Sequence, residues 1–100
     1  MLDQLTLESF TPHVGSSFWA VFPNGGKVEL VLRQAERRME SELARLKRTA
    51  FALYFDGPRS YLLNQGAYTI EHELFPEPQE IFLVPIGQTA EQYQYEAVFT

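Results

Sequence analysis

Short segments of aromatic and β-branched residues, separated by turn residues, recur along the chain and favour a β-rich fold. Residues 17–22 and 27–33 form the first pair of such segments, and Pro-Asn-Gly-Gly joins them at positions 23–26. Asn-Gly between two apolar segments is the strongest short-range signal for a β-hairpin. From Val28 to Leu32 every second residue is apolar, as in a strand buried on one face. We therefore predict a hairpin here.

Four further segments are predicted to be strands. They are residues 51–55, 67–73, 80–86 and 92–99. The sequence Asp-Gly-Pro at 56–58 is expected to end the first of them in a turn. Because residues 80–86 are nearly all apolar, we expect a central strand covered on both faces. Pro85 must lie at the end of that strand or in a bulge, since proline cannot donate a ladder hydrogen bond.

These patterns predict a mainly β protein with a single domain over residues 1–100. About six strands follow one another through connections too short for parallel crossovers, so the sheet is expected to be mainly antiparallel. Such strands close most easily as a small barrel or a two-sheet sandwich, and both remain open. Aromatic residues make up 14% of the chain, and they favour strands over helices.

The N-terminal region predicts one short helical turn before the hairpin. Ser9 is a candidate N-cap, Pro12 suits a first turn, and Gly15 suits a helix stop. We expect this turn to pack Phe10 and Val14 inward.

A basic segment interrupts the β pattern. Residues 33–48 carry six basic and three acidic residues, a net charge of +3 in a chain of −5, so the rest carries −8. Met39, Leu43 and Leu46 have helical spacing, which predicts a short helical insert over residues 36–48. A solvated helix face explains its charge most simply, although opposed charges also favour head-to-tail association. The arginines that would contact an acidic partner are Arg37, Arg38, Arg45 and Arg48.

Composition and charge exclude several classes of function. Without cysteine the chain has no disulfide, thiol nucleophile or Cys-ligated metal. The acidic net charge disfavours general binding to nucleic acid. The fully apolar runs, 18–22 and 81–86, are far shorter than the roughly 20 residues of a membrane-spanning helix. We therefore expect that the protein neither binds nucleic acid nor inserts into a membrane.

The two histidines, His13 and His72, are candidates for metal binding or proton transfer. A metal site would need them close together and accompanied by carboxylates. Glu71-His72-Glu73 has suitable residue types, but consecutive strand residues lie on opposite faces, which separates His72 from both glutamates. We interpret His72 as a half-buried strand residue and predict no metal and no cofactor.

Nothing in the sequence marks a catalytic nucleophile. No serine has the G-x-S-x-G context of a hydrolase, and Gly25-Gly26 precedes a strand, unlike a phosphate-binding loop. We therefore expect a protein that is not an enzyme. A hydrolase that uses Glu71, Glu73 or His72 remains an alternative, because paired carboxylates need only lie close in space.

Several aromatic residues are of the type that forms protein interfaces. Trp and Tyr are enriched at interface centres, and we take Trp19, Tyr93 and Tyr95 as candidate contact residues. A second alternative is a small-ligand-binding barrel in which Tyr54, Tyr68 and Tyr95 surround a pocket.

A set of short motifs resembles one protein family. The motifs are Leu5-Thr6-Leu7-Glu8-Ser9-Phe10, Val14-Gly15-x-x-Phe18, Phe55-x-Gly57-Pro58, Gln65-Gly66-x-Tyr68-x-Ile70-x-His72, Phe82-Leu83-Val84-Pro85-Ile86 and Tyr95-Glu96-Ala97-Val98-Phe99. Together they are similar to a family of small bacterial proteins classed as a domain of unknown function. The likeness covers nearly the whole chain except the insert near residues 36–48. It implies association with phage-tail-collar-like proteins, and it implies no catalytic residues.

The residues and the resemblance lead to one expectation about function. We expect a structural or assembly protein that acts through protein–protein contacts, either with itself or with another chain. It would be a component of a phage-tail-like or filamentous particle. No basic residue precedes Lys27 to begin a signal peptide, so we expect synthesis in the cytoplasm, with later release in a particle left open.

Overall fold

Six antiparallel strands close into a barrel in the computed structural model of the chain, which describes residues 5–37 and 50–99. The strands are β1 (Ser17–Val21), β2 (Lys27–Arg37), β3 (Phe51–Pro58), β4 (Gly66–Glu71), β5 (Gln79–Gln88) and β6 (Gln92–Phe99). Around the barrel they follow the order β1-β2-β3-β6-β5-β4, and β4 pairs with β1 to close it. The predicted small antiparallel barrel is confirmed, and the two-sheet sandwich is not the fold.

The N-terminal region folds over one end of the barrel. Helix α1 (Leu7–Phe10) begins after Thr6 and continues into a 3-10 turn over residues 11–13. The backbone N–H of Thr6 donates to Ser9 Oγ at 3.1 Å, so Thr6 is the N-cap and the prediction of Ser9 was wrong. Gly15 does end the helical region, at a φ of 95° that suits glycine.

The two apolar residues of this region have different environments. Phe10 is fully buried, as predicted, but Val14 is 47% exposed. In a continuous α-helix, two residues four positions apart would lie on the same face. The chain leaves α-helical geometry after Phe10, and Val14 is already extended, so its side chain no longer follows that of Phe10.

Strand β2 is longer than the alternating pattern indicated. It continues through Arg37, and residues 34–37 pair with residues 51–54 of β3 after a bulge next to Leu32. The helical insert predicted from residue 36 is therefore wrong for residues 36 and 37, because ladder hydrogen bonds to β3 satisfy their backbone. The remainder of the predicted insert, with Arg38, Arg45 and Arg48, lies outside the described residues.

Strand β3 also includes residues 56–58, which were predicted to form a turn. Asp56, Gly57 and Pro58 pair with residues 92–94 of β6. A Cβ atom on Gly57 would lie 3.0 Å from the Tyr95 ring and 3.1 Å from Leu30 Cδ2. This glycine therefore makes room for interior side chains and does not form a turn.

The core fills the inside of the barrel. Its fully buried side chains come from every strand and from α1, among them Phe10, Phe18, Leu30, Phe55, Leu83 and Tyr95. Strand β5 departs from prediction, because Phe82 is 53% exposed where a strand covered on both faces was expected. A closed barrel has one layer, so the outer face of each strand has no second sheet against it. Of the two positions predicted for Pro85, a strand end or a bulge, the register shift between Pro85 and Gly87 shows the bulge.

Candidate functional site

An open groove of about 530 Å³ lies beside the end of β4 and brings together several residues predicted from the sequence. Trp19 lines it from β1, and Glu71, His72 and Glu73 line it from the end of β4 and the loop that follows. Trp19 is 38% exposed, and its register neighbours are Glu29 on β2 and Glu71 on β4.

His72 reaches this groove because β4 ends one residue before it. The predicted strand extended to residue 73, but pairing stops at Glu71. A turn follows, in which the Phe75 N–H donates to the His72 carbonyl at 2.9 Å. The His72 ring stacks on the buried Phe18 ring, with centroids 3.8 Å apart. His72 is half-buried, as predicted, but in a turn.

The hydrogen bonds of His72 assign its tautomer. Nδ1 accepts a hydrogen bond from the Leu74 N–H at 2.9 Å, so that nitrogen carries no proton. Nε2 lies 2.9 Å from Ser16 Oγ, and the Ser16 hydroxyl donates its own proton to the His13 carbonyl at 2.7 Å. The ring proton is therefore on Nε2, which donates it to Ser16 Oγ.

The surroundings of His72 favour its neutral form. Burial lowers its pKa, His13 nearby lowers it further, and Glu73 opposes both effects. A second proton would occupy Nδ1 and face the Leu74 N–H, so protonation would break the hydrogen bond between the Leu74 N–H and the His72 ring. The turn after β4 also holds Phe75, which is buried against the core.

Ser16 and His72 have the spacing of a nucleophile and its base but the opposite proton arrangement. A general base needs a bare nitrogen facing the hydroxyl, whereas Nε2 here carries the proton. Glu71 Oε1 binds Lys27 Nζ at 3.1 Å. Ser16 and His72 therefore do not form an activated nucleophile in this arrangement, and the hydrolase alternative built on the carboxylates of Glu71 and Glu73 with His72 stays a prediction.

The second histidine lies directly against the first. The His13 and His72 ring centroids are 4.8 Å apart, with the rings nearly perpendicular. Candidate ligand atoms of His13, His72 and Glu73 all lie within 4.8 Å of one another. The structure thus meets the condition that sequence analysis set for a metal site. The two histidines are far apart in sequence, so no local pattern could show that the 3-10 turn after α1 and the loop after β4 bring them together.

The predicted contact residues have different environments. Tyr93 is half-buried beneath the Arg59 guanidinium, 5.0 Å from its ring centroid. Arg37 Nη2 lies 3.3 Å from Glu8 Oε2 at the surface. Tyr95 is fully buried, and its hydroxyl accepts the Leu63 N–H at 2.9 Å. Tyr95 is therefore a core residue, and its prediction as a contact residue was wrong.

The three tyrosines of the ligand-binding alternative do not line one pocket. Tyr95 is inside the barrel, whereas Tyr54 lies between the inward-facing residues 53 and 55 and packs under the Arg33 guanidinium. The Tyr68 hydroxyl donates to the Asn64 carbonyl at 2.6 Å. Tyr54 and Tyr95 are separated by the barrel wall.

A row of apolar side chains crosses the outside of the barrel. Ala67 pairs with Phe82, and Ala52 pairs with Val98. Phe82 and Val98 lie on the neighbouring strands β5 and β6, each two residues beyond the last pair of their ladder, Val84 with Glu96. Phe82 and Val98 are 53% and 48% exposed. We call Ala67, Phe82 and Val98 the outer apolar row; Ala52 is fully buried and is not part of it. Sequence analysis missed it because the apolar run at 81–86 indicated a doubly covered strand.

Comparison with known proteins identifies a family but no function. A family model described as a domain of unknown function, DUF6916, matches residues 5–99. No curated protein and no solved structure shows significant similarity to the chain. Within the described residues, no helix is long and apolar enough to span a membrane.

Proposed function

We propose that this chain, which belongs to the DUF6916 family of domains of unknown function, is a non-enzymatic assembly subunit. Its outer apolar row is the surface that binds a second copy of the chain. The observation that carries this proposal is the exposure of Phe82 and Val98 on the neighbouring strands β5 and β6. Contiguous exposed apolar side chains commonly mark protein contacts.

Charge favours a second copy in a head-to-tail arrangement. Residues 60–99, which include β4, β5 and β6, contain six glutamates and no lysine or arginine. Residues 33–48 carry a net charge of +3. Two segments of opposite charge on one chain attract each other between copies. Contacts of this heterologous kind generate rings or open filaments, which suits a particle component.

Sedimentation velocity over a wide dilution series tests this function. The protein is expected to self-associate at low salt and to dissociate as salt rises, because screening weakens attraction between exposed charges. Phe82→Ser is expected to abolish association. Leu62→Ser is the matched control, since Leu62 is also partly exposed, at 44%, but lies outside the row. A wild-type protein that stays monomeric throughout would contradict the proposal, as would equal effects of the two variants.

The particle itself is proposed to be phage-tail-like. The support is the resemblance to proteins that accompany phage-tail-collar-like proteins, together with the head-to-tail geometry. The genes beside this one provide the test. A neighbouring collar or fibre gene would support the assignment, and a metabolic operon would contradict it.

A further inference from the structure

We propose that His13, His72 and Glu73 form a binding site for a divalent transition metal such as Zn²⁺. Two imidazoles and one carboxylate are donors that suit Zn²⁺, Co²⁺ and Ni²⁺, whereas Mg²⁺ and Ca²⁺ prefer sites made of oxygen ligands. His72 and Glu73 line the open groove and His13 lies against His72, so three protein ligands would leave a fourth position for water. This site is independent of the proposed assembly surface.

The hydrogen bonds of His72 decide which nitrogen coordinates. Nδ1 has the bare lone pair, and it accepts the Leu74 N–H. Coordination through Nε2 would move the ring proton to Nδ1, where it would face that N–H. His72 therefore binds metal through Nδ1 and exchanges the Leu74 hydrogen bond for the metal.

Ser16 would then hold the ligand in place. Metal-binding histidines almost always donate their other ring N–H to a nearby acceptor, which fixes the ring orientation. Here the Nε2–H already donates to Ser16 Oγ, and Ser16 in turn donates to the His13 carbonyl. One hydroxyl thus links the two histidine segments and positions His72 for coordination.

The cluster must contract slightly when the metal binds. Two donors that each lie about 2.1 Å from one metal ion cannot be more than about 4.2 Å apart, and the candidate atoms span up to 4.8 Å. Glu73 is exposed, so its carboxylate can move without disturbing the core. Binding would join the segment after α1 to the loop after β4 and hold both over the barrel end.

Titration of the tag-free full chain with Zn²⁺ by calorimetry tests the site. Binding of one ion per chain is expected, with a rise in melting temperature. His13→Asn and Glu73→Gln are each expected to weaken binding at least tenfold, and Ser16→Ala by about 10- to 100-fold. Glu77→Gln is the matched control, because Glu77 lines the same groove but is outside the cluster.

Amide NMR spectra add a readout that does not depend on affinity. The Leu74 amide is expected to shift strongly when Zn²⁺ is added, because its acceptor is lost. No binding by the folded wild-type protein would overturn the proposal, as would full affinity in His13→Asn or equal losses in Glu77→Gln and Glu73→Gln. The exposed Glu73 variant keeps the test valid if a histidine variant fails to fold.

Discussion

Strands β3 and β5 have similar apolar sequences but different outer surfaces. Inward residues of both are buried, such as Phe55 on β3 and Leu83 on β5. On the outside, β3 carries the fully buried Ala52 and the partly covered Tyr54, whereas β5 carries the half-exposed Phe82. Apolar content alone therefore does not identify a central strand. The apolar surface of β5 that the fold leaves exposed is the surface we assign to assembly.

The largest expected change in the free energy of unfolding comes from a residue on the inner face of the barrel. Phe55→Ala removes a buried ring that packs edge-on against Phe18, with centroids 5.4 Å apart. We expect the free energy of unfolding to fall by about 3–5 kcal/mol, since such a truncation leaves a cavity. Urea denaturation measures it. A loss no greater than that of Phe82→Ala would remove the distinction between inner and outer faces.

A smaller loss in the free energy of unfolding is expected from Tyr95→Phe. The variant keeps the buried ring but leaves the buried Leu63 N–H without its 2.9 Å acceptor. An unsatisfied buried donor costs about 1–3 kcal/mol. Tyr61→Phe, at a residue that is 53% exposed, provides the control in the same denaturation series. Equal stability of the two variants would contradict the structural role assigned to the Tyr95 hydroxyl.

The barrel end is expected to respond to pH through His72. Because the native pKa of His72 is lowered, the unfolded chain binds more protons as the pH falls below about 6.5, the ordinary value for histidine. The stabilisation from neutral His72 is thus complete above that pH, and it is lost as the pH falls until the native group also becomes protonated.

Denaturation of the metal-free protein in EDTA across this range measures the effect. As the pH falls, the free energy of unfolding should decrease more for the wild-type protein than for His72→Gln, because only the wild-type protein has His72 to protonate. Both proteins share the same carboxylates, so the difference between their profiles reports His72. Parallel pH profiles would show that His72 contributes nothing to the dependence.

The smallest expected change in stability is that of Phe82→Ser. Half of this side chain is already exposed in the folded chain, and surface substitutions usually change stability by no more than about 0.5 kcal/mol. The measurement is made at high salt and low concentration, where copies are separated. A loss of several kcal/mol would mean that Phe82 serves the fold instead of an interface.

The strands were predictable because their alternation and turns are local. The hairpin at Asn24-Gly25 and the bulge at Pro85 follow from the conformations those residues allow. The continuation of β3 through Gly57 was not predictable from the sequence, because it depends on contact with the Tyr95 ring on another strand.

The candidate sites were predictable only in part. Glu71, His72 and Glu73 were identified as chemically suitable, but strand alternation placed them apart, and His13 joins them only through the closure of the barrel. Ser16 had no sequence signal, because its role arises from its contact with His72.

Self-association through the outer surface of β5 and β6 is tested most directly by a series of amide NMR spectra recorded at increasing protein concentration and low salt. We expect shifts that grow with concentration and cluster on the strands of the outer apolar row, around Phe82 and Val98. Spectra that do not change with concentration at these residues, or changes confined to the groove at Trp19, would contradict this expectation.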